Sequence, residues 1–508
     1  MMTFVPHTTD HTCPVAKPPA SGRIRALIAT LFMPILLSAC ASIIDPVDPT
    51  VVDLEATVPL RADWAEPAPD ALPETDWLES FGDETLTALV AQARADNPSL
   101  IRTLAQLERA LAQRGVSRAD LYPDVGFTSR VQQNEGGTGF FAGSRTYSLG
   151  FDINWEVDVI NRIRDQIAAD GTAVEASAAD LAALELSLTS RLATSWFDAI
   201  EAGLLVQLSA DDIATQERSL RLTQRRFESG LTGSSDVRLA RSSVATAQAL
   251  EQSRLQQRDA LLRLIQTIVR DYPDAEIALP GDLPALPAFE GAGTPAQMLA
   301  RRPDIIAAER RIAQAGLDVD VARKALYPRL SLSSSVGDET LNNDVVDGNF
   351  FDILDLKGIA YSLAASVTAP VFQGGRLRAQ VEAQRAQLAV QIETYAETVL
   401  TAYQEVEDAL DAEGRLQARE AALEVARDEA VMAEDRLELR YTEGLATILQ
   451  LLDAQTRRLN AEGQLITARA ERLANRVRLH VALGGSGYSP PPNLLEPEPV
   501  RILGIDLP

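Results

Sequence analysis

The chain is written twice. Pro98, Arg118, Leu121, Tyr122 and Pro123 recur 205 residues later as Pro303, Arg323, Leu326, Tyr327 and Pro328. Further on, Tyr147-Ser148-Leu149, Val157, Arg162, Arg164 and Gly230-Leu231 recur at an offset of 214 as Tyr361-Ser362-Leu363, Val371, Arg376, Arg378 and Gly444-Leu445. A unit this long is no solenoid repeat; it is a duplicated half-protein. Whatever the first half builds, the second builds again, with nine extra residues between Pro328 and Tyr361.

Within each half the pattern changes period in the same order. Residues 98–121 and 303–326 are Ala/Leu-rich helical segments that stop at Tyr-Pro, because proline cannot continue the ladder and pushes its predecessor out of the α region. Alternating stretches follow at Val125–Val131 and Tyr147–Trp155, then at Leu330–Val336 and Ala360–Phe372. Period-two alternation predicts strands with one apolar and one polar face. Gly/Asn/Asp-rich loops are expected between them at 134–144 and 337–350.

Long helical segments come next, over 162–228 and 376–441. Leu388, Ile392, Tyr395, Val399, Ala402, Val406 and Ala409 step by fours and threes, a heptad seam. Leu188, Leu192, Trp196, Ile200, Leu204 and Leu208 step by four throughout, which drifts around the helix and predicts burial on more than one flank. The 67 residues of 162–228 span roughly 100 Å. Gly230 and Gly444 are placed to stop these helices in the left-handed region, and shorter helices return over 234–270 and 447–483. The 37 residues of the first return and the 24 of 98–121 together nearly match the 67 of the long helix. Two stacked short helices therefore run beside one long one. Asp236 is expected at the returning helix's N-terminus, and a short amphipathic helix is expected over 83–95.

The organisation read from the sequence is 1–39 signal peptide, 40–82 extended arm, 83–271 first repeat, 272–295 Pro-rich linker, 296–483 second repeat and 484–508 Pro-rich tail. Arg23 and Arg25 precede an apolar run of 12 residues, Ala26–Leu37, which suits secretion and is too short to span a bilayer. Leu37-Ser38-Ala39-Cys40 resembles a bacterial lipobox, which would leave Cys40 as the mature terminus carrying covalent lipid.

Net charge is −25, which opposes nucleic-acid binding and favours a cation-attracting surface or lumen. Of the three histidines and two cysteines, His7, His11 and Cys13 fall within the signal segment and Cys40 and His480 stand far apart, so no metal site is expected. No phosphate loop, nucleophile elbow or paired nucleophile is present, so neither catalytic residues nor a cofactor beyond the lipid is expected. Glu156 and Asp158 read as solvated or lumenal side chains, not a catalytic pair.

Four amphipathic strands cannot close around a channel, so closure in a bilayer requires several chains. The plan resembles TolC-like outer-membrane factors, especially their lipidated NodT-like branch, over nearly the whole mature chain. Arg302-Pro303-Asp304-Ile305 leading to Tyr327-Pro328 looks like the family's RPD-to-YP segment. Trp155-Glu156-Val157-Asp158 looks like its strand exit, with Asn161 as the left-handed turn residue, and Pro370–Arg376 is the matching second exit. Tyr441-Thr442-Glu443-Gly444-Leu445 followed by Leu451-Leu452-Asp453-Ala454-Gln455 resembles its periplasmic tip and gate.

The resemblance implies a mainly α fold with a small β part: a homotrimer with a twelve-stranded barrel in the outer membrane above a long α-helical barrel. It implies a periplasmic adaptor, an inner-membrane pump and passive exit of small toxic compounds. Gly230, Leu231, Gly444 and Leu445 would be adaptor-contacting tips. Asp453 would form a gate, with Leu449 one turn earlier as an apolar constriction. Where the family often has arginine three residues after the aspartate, this chain has Thr456, and Arg457 at i+4 is the substitute partner. A type I protein-secretion outlet and a lipid-anchored coiled-coil scaffold without a pore are the alternatives. The strands at equivalent places in both halves count against the scaffold.

Overall fold

The computed structural model describes residues 61–69, 77–133, 145–342 and 359–491, together with Val58, Ala71, Leu494 and the short stretches 500–502 and 505–507. All of them lie in the unit Leu54–Pro508. The signal segment, Cys40 and the loop 134–144 lie outside the described residues.

After a one-turn 3-10 helix at Glu79–Phe81, the first half contains α1 (Glu84–Asp96), α2 (Pro98–Ala119), β1 (Asp124–Gln133), β2 (Arg145–Val157), α3 (Arg162–Glu228) and α4 (Ser234–Ile268). The second half contains α5 (Pro295–Arg301), α6 (Pro303–Lys324), β3 (Arg329–Asn342), β4 (Ala360–Thr368), α7 (Arg376–Thr442) and α8 (Ile448–Ala482). A small hairpin, β5 (Val500–Ile502) with β6 (Ile505–Leu507), ends the chain. Both long helices have 67 residues. Asn161 and Gly375, equivalent in the two halves, start them from the left-handed region at φ 58° and 86°.

Two strand bounds differ from the alternation. β4 stops at Thr368 rather than Phe372, because Pro370 offers no ladder donor. β3 runs on through Asn342, into what reads as loop, because its Gly337 is paired with Gly150 of β2.

The sheet is antiparallel in the order β1-β2-β3-β4, so the two halves join at β2–β3. Its register puts Val125, Phe127, Leu149, Phe151, Ile153, Trp155, Leu332, Val336, Leu363 and Val367 on one face. Thr128, Arg130, Ser148, Asp152, Asn154, Ser333, Ser335, Ser362 and Ser366 share the other. At the join, a Cβ on Gly337 would lie 2.5 Å from the Leu149 carbonyl, and one on Gly150 would lie 2.8 Å from that of Val336. Only glycine permits this approach.

The helices form four struts. α2 and α4 both pack along α3; α6 and α8 line its other flank; and α7 follows on the far side of α6 and α8. The central position of α3 explains its drifting seam: it buries 23 residues, against 10 for the equally long α7. Of the α7 seam, Leu388, Tyr395, Val399, Ala402, Val406 and Ala409 are buried, and Ile392 is half-buried.

Midway along, a belt wraps the struts. Trp77, Phe81, Leu86 and Val90 of the arm and α1, with Ile277, Leu279 and Leu283 of the linker, pack on Leu192, Trp196 and Ile200 of α3. The Trp196 indole donates to Asp83, the N-cap of α1, at 2.7 Å. No described helix is long and apolar enough to cross a membrane.

Candidate channel wall, tips and gate

Opposite the belt, α3 carries Asp198 and Glu201. The Glu201 carboxylate accepts from Thr467 of α8 at 2.6 Å. Burial pushes both carboxyls up from their ordinary range; Arg478 opposes this at Asp198, and the Thr467 bond opposes it at Glu201. Sequence reasoning did not single out these two carboxylates. Their signal was there: charged residues recur at helical spacing opposite the apolar seam.

At the strand exits Arg162 pairs with Glu156, on the polar face, at 2.9 Å. Asp158 is not solvated as expected: its side chain is almost enclosed and accepts from the Ile163 and Arg164 amides at 3.1 Å each. It satisfies donors at the start of α3 that no helical carbonyl reaches.

Both long helices end as the glycines require. Gly230 (φ 72°) and Gly444 (φ 80°) are left-handed. The Leu231 amide returns to Arg226 O at 2.8 Å and the Leu445 amide to Arg440 O at 2.7 Å, the Schellman closure. Leu231 and Leu445 project from these turns, exposed. Asp236 sits in the first turn of α4, where the Thr232 and Ser235 hydroxyls hold it. Thr447 starts α8 with a capping box to Gln450.

The two turns are tied together within the chain. Tyr441, at the end of α7, is buried against Ile448, Leu451 and Leu452. Its hydroxyl meets Thr223 of α3 at 2.9 Å. The Arg226 guanidinium bonds the Tyr441 carbonyl and lies 4.9 Å from the centre of the Tyr441 ring, placing a cation at the negative end of α7. Farther from the tips on the same contact, Gln455 donates to Ser219 at 2.9 Å. The sequence motif pointed to Tyr441 but not to these partners, which lie 218 and 215 residues away.

Asp453 and Leu449 lie one turn apart on the uncovered face of α8. The Asp453 side chain is 60% exposed, and Arg457, the expected partner, reaches it at 2.9 Å while itself 75% exposed. An exposed pair of this spacing contributes about 0.3–0.5 kcal/mol. Burying a Tyr, Ile or Leu side chain contributes about 1.5–3 kcal/mol, so the Tyr441 cluster holds the tip and Asp453 is free to serve the space it faces. Leu449 is exposed beside it.

Residues 89–268 and 294–485 match the family described as outer membrane efflux protein. The chain belongs to that family. Among its relatives is the pyoverdine export outer membrane protein OpmQ of Pseudomonas aeruginosa, 28% identical over 471 residues, covering 90% of this chain and 96% of the relative. Nodulation protein T of Rhizobium leguminosarum is 27% identical over 479 residues, covering 91% and 94%. The solved outer-membrane channel OprN superposes with a TM-score of 0.76 at 28% identity, covering 87% of this chain and 97% of that one.

The protein is thus an outer-membrane efflux channel subunit: strands in the membrane, helices in the periplasm.

Proposed function

We propose that three copies of this chain close into a twelve-stranded barrel and a helical tunnel, a passive duct for small toxic compounds in a tripartite efflux system. The observation carrying this reading is the sheet itself: its face is apolar, yet β1 and β4 each leave an edge that hydrocarbon does not tolerate. The exposed apolar side chains of α7 (Val390, Leu400) and of α2 (Leu104, Leu111) are the matching flanks for neighbouring copies.

The signal peptide ends at residue 39 in this reading, and lipid on Cys40 anchors the arm 40–82. Repeats 83–271 and 296–483 form the wall, joined by the linker 272–295 and followed by the tail 484–508. Gly230, Leu231, Gly444 and Leu445 meet a periplasmic adaptor, an inner-membrane pump supplies the energy, and Asp453 with Leu449 closes the duct. Native mass spectrometry of the detergent-extracted protein should give a trimer whose amino-terminal peptide is an acylated Cys40. A stable folded monomer would overturn the ring, and a free terminus at another residue would overturn the anchor alone.

A further inference from the structure

In a chain of net charge −25, three arginines gather in one cleft directly beneath the barrel. The cleft, about 480 Å³, lies between the end of α2 and the start of α3. Arg114, Arg118 and Arg164 line it above an apolar floor of Leu121, Ile167 and Ala168. We propose that it binds the phosphate of an anionic phospholipid in the periplasmic leaflet of the outer membrane, with the first acyl carbons on the apolar floor.

Direction is the first argument. Gly171, in the cleft wall, lies about two turns from Ala178, and Ala178 about five turns from Trp196, so all three share one side of α3, the belt side. Arg162, about two and a half turns from Gly171, points the opposite way, to Glu156 on the polar sheet face. The cleft therefore opens outward. Trp155, on the apolar face, donates its indole N–H to the Leu121 carbonyl at the cleft's upper edge, 2.9 Å away. An aromatic residue with one polar end is the ordinary marker of headgroup depth.

Depth is the second. Arg118 and Arg164 stand roughly 5–10 Å below the strand ends. A headgroup layer is about 5–8 Å thick on each side of the hydrocarbon.

Charge is the third. Glu175, the carboxylate lining the cleft, is engaged by Arg310 at 3.3 Å. The Asp158 carboxylate is occupied with the amides at the start of α3 and meets the Arg164 guanidinium only at 3.8 Å, and that guanidinium's other side-chain bond goes to the neutral Asn161 amide oxygen at 2.7 Å. Arg118 is half-buried, and among the described residues no carboxylate pairs with it. Planar guanidinium forks match phosphate oxygens in pairs, which a zwitterion's own ammonium would partly satisfy and an anionic headgroup would not.

The test is native mass spectrometry of the channel released from nanodiscs of mixed phosphatidylethanolamine and phosphatidylglycerol. Wild type should retain phosphatidylglycerol preferentially. R118Q and R164Q, on different helices, should each reduce that retention about tenfold at unchanged oligomeric state, while R385Q, paired with Glu382 on α7, should leave it intact. Three outcomes would overturn the proposal: no preference in wild type, retention at the wild-type level in both variants, or displacement of the lipid by millimolar inorganic phosphate, which marks a free-anion site.

Discussion

At the residue scale two side chains separate function from framework. Asp453 contributes almost nothing to the fold, so Asp453→Ala should leave the oligomer intact while raising single-channel conductance in planar bilayers. Unchanged conductance there, and again in Asp453→Ala/Leu449→Ala, would place the constriction elsewhere. His480 is the reverse case. It stacks on Trp77 at 5.5 Å between ring centres, and its Nδ1 is shut away from solvent with no partner among the described residues. Burial first, and the nearby Arg476 second, push its pKa from 6.5 down to about 4. The unfolded chain takes up a proton near 6.5 and the folded chain only near 4. Stability from this site is therefore complete above pH 6.5 and is lost progressively as pH falls toward 4. A chain beginning at Cys40 has His480 as its single histidine. One imidazole NMR signal should titrate with a midpoint near 4, and H480F should flatten the acid-side loss of thermal stability. A midpoint near 6.5 would place the ring in water.

At the element scale, the starts and stops of the long helices were legible because each is written in a local residue. Asn161, Gly230, Gly375 and Gly444 mark them, and period-two stretches mark the strands between. Strand ends were less legible. Alternation continues through Phe372, but Pro370 ends the pairing; Gly337 reads as loop until Gly150 lies opposite. Such facts belong to pairs of elements, and so does the tie of Thr223 and Arg226 to Tyr441. At the tips the left-handed glycines also make a test. Among the described residues a Cβ at Gly230 meets nothing within 4 Å, and one at Gly444 meets only the Arg226 guanidinium, at 3.5 Å. Substitution there costs about 1–2 kcal/mol of backbone strain each, small for an assembly this size. G230V/G444V should abolish efflux in cells with trimer yield unchanged. Loss of the trimer would show the glycines to be helix stops alone.

At the scale of the whole molecule, α3 is flanked on both sides within its own chain, by α2 with α4 and by α6 with α8, whereas among the described residues α7 is flanked on one side alone, by α6 with α8. In the proposed ring the α7 flank meets the α2–α4 flank of the next copy, a head-to-tail contact rather than a self-matching one. Each subunit thus owns one edge of each kind, and damage to one leaves the other able to recruit. A chain bearing L400E on α7 should still be joined through its α2–α4 side by wild-type subunits, yet give the ring no closing contact. Co-expressed with wild type, it should poison drug resistance out of proportion to its share of the pool. Simple dilution of activity, tracking the wild-type fraction, would mean that the edges are interchangeable. Genetic dominance in such a channel would be a property inherited from which helix was left without a neighbour.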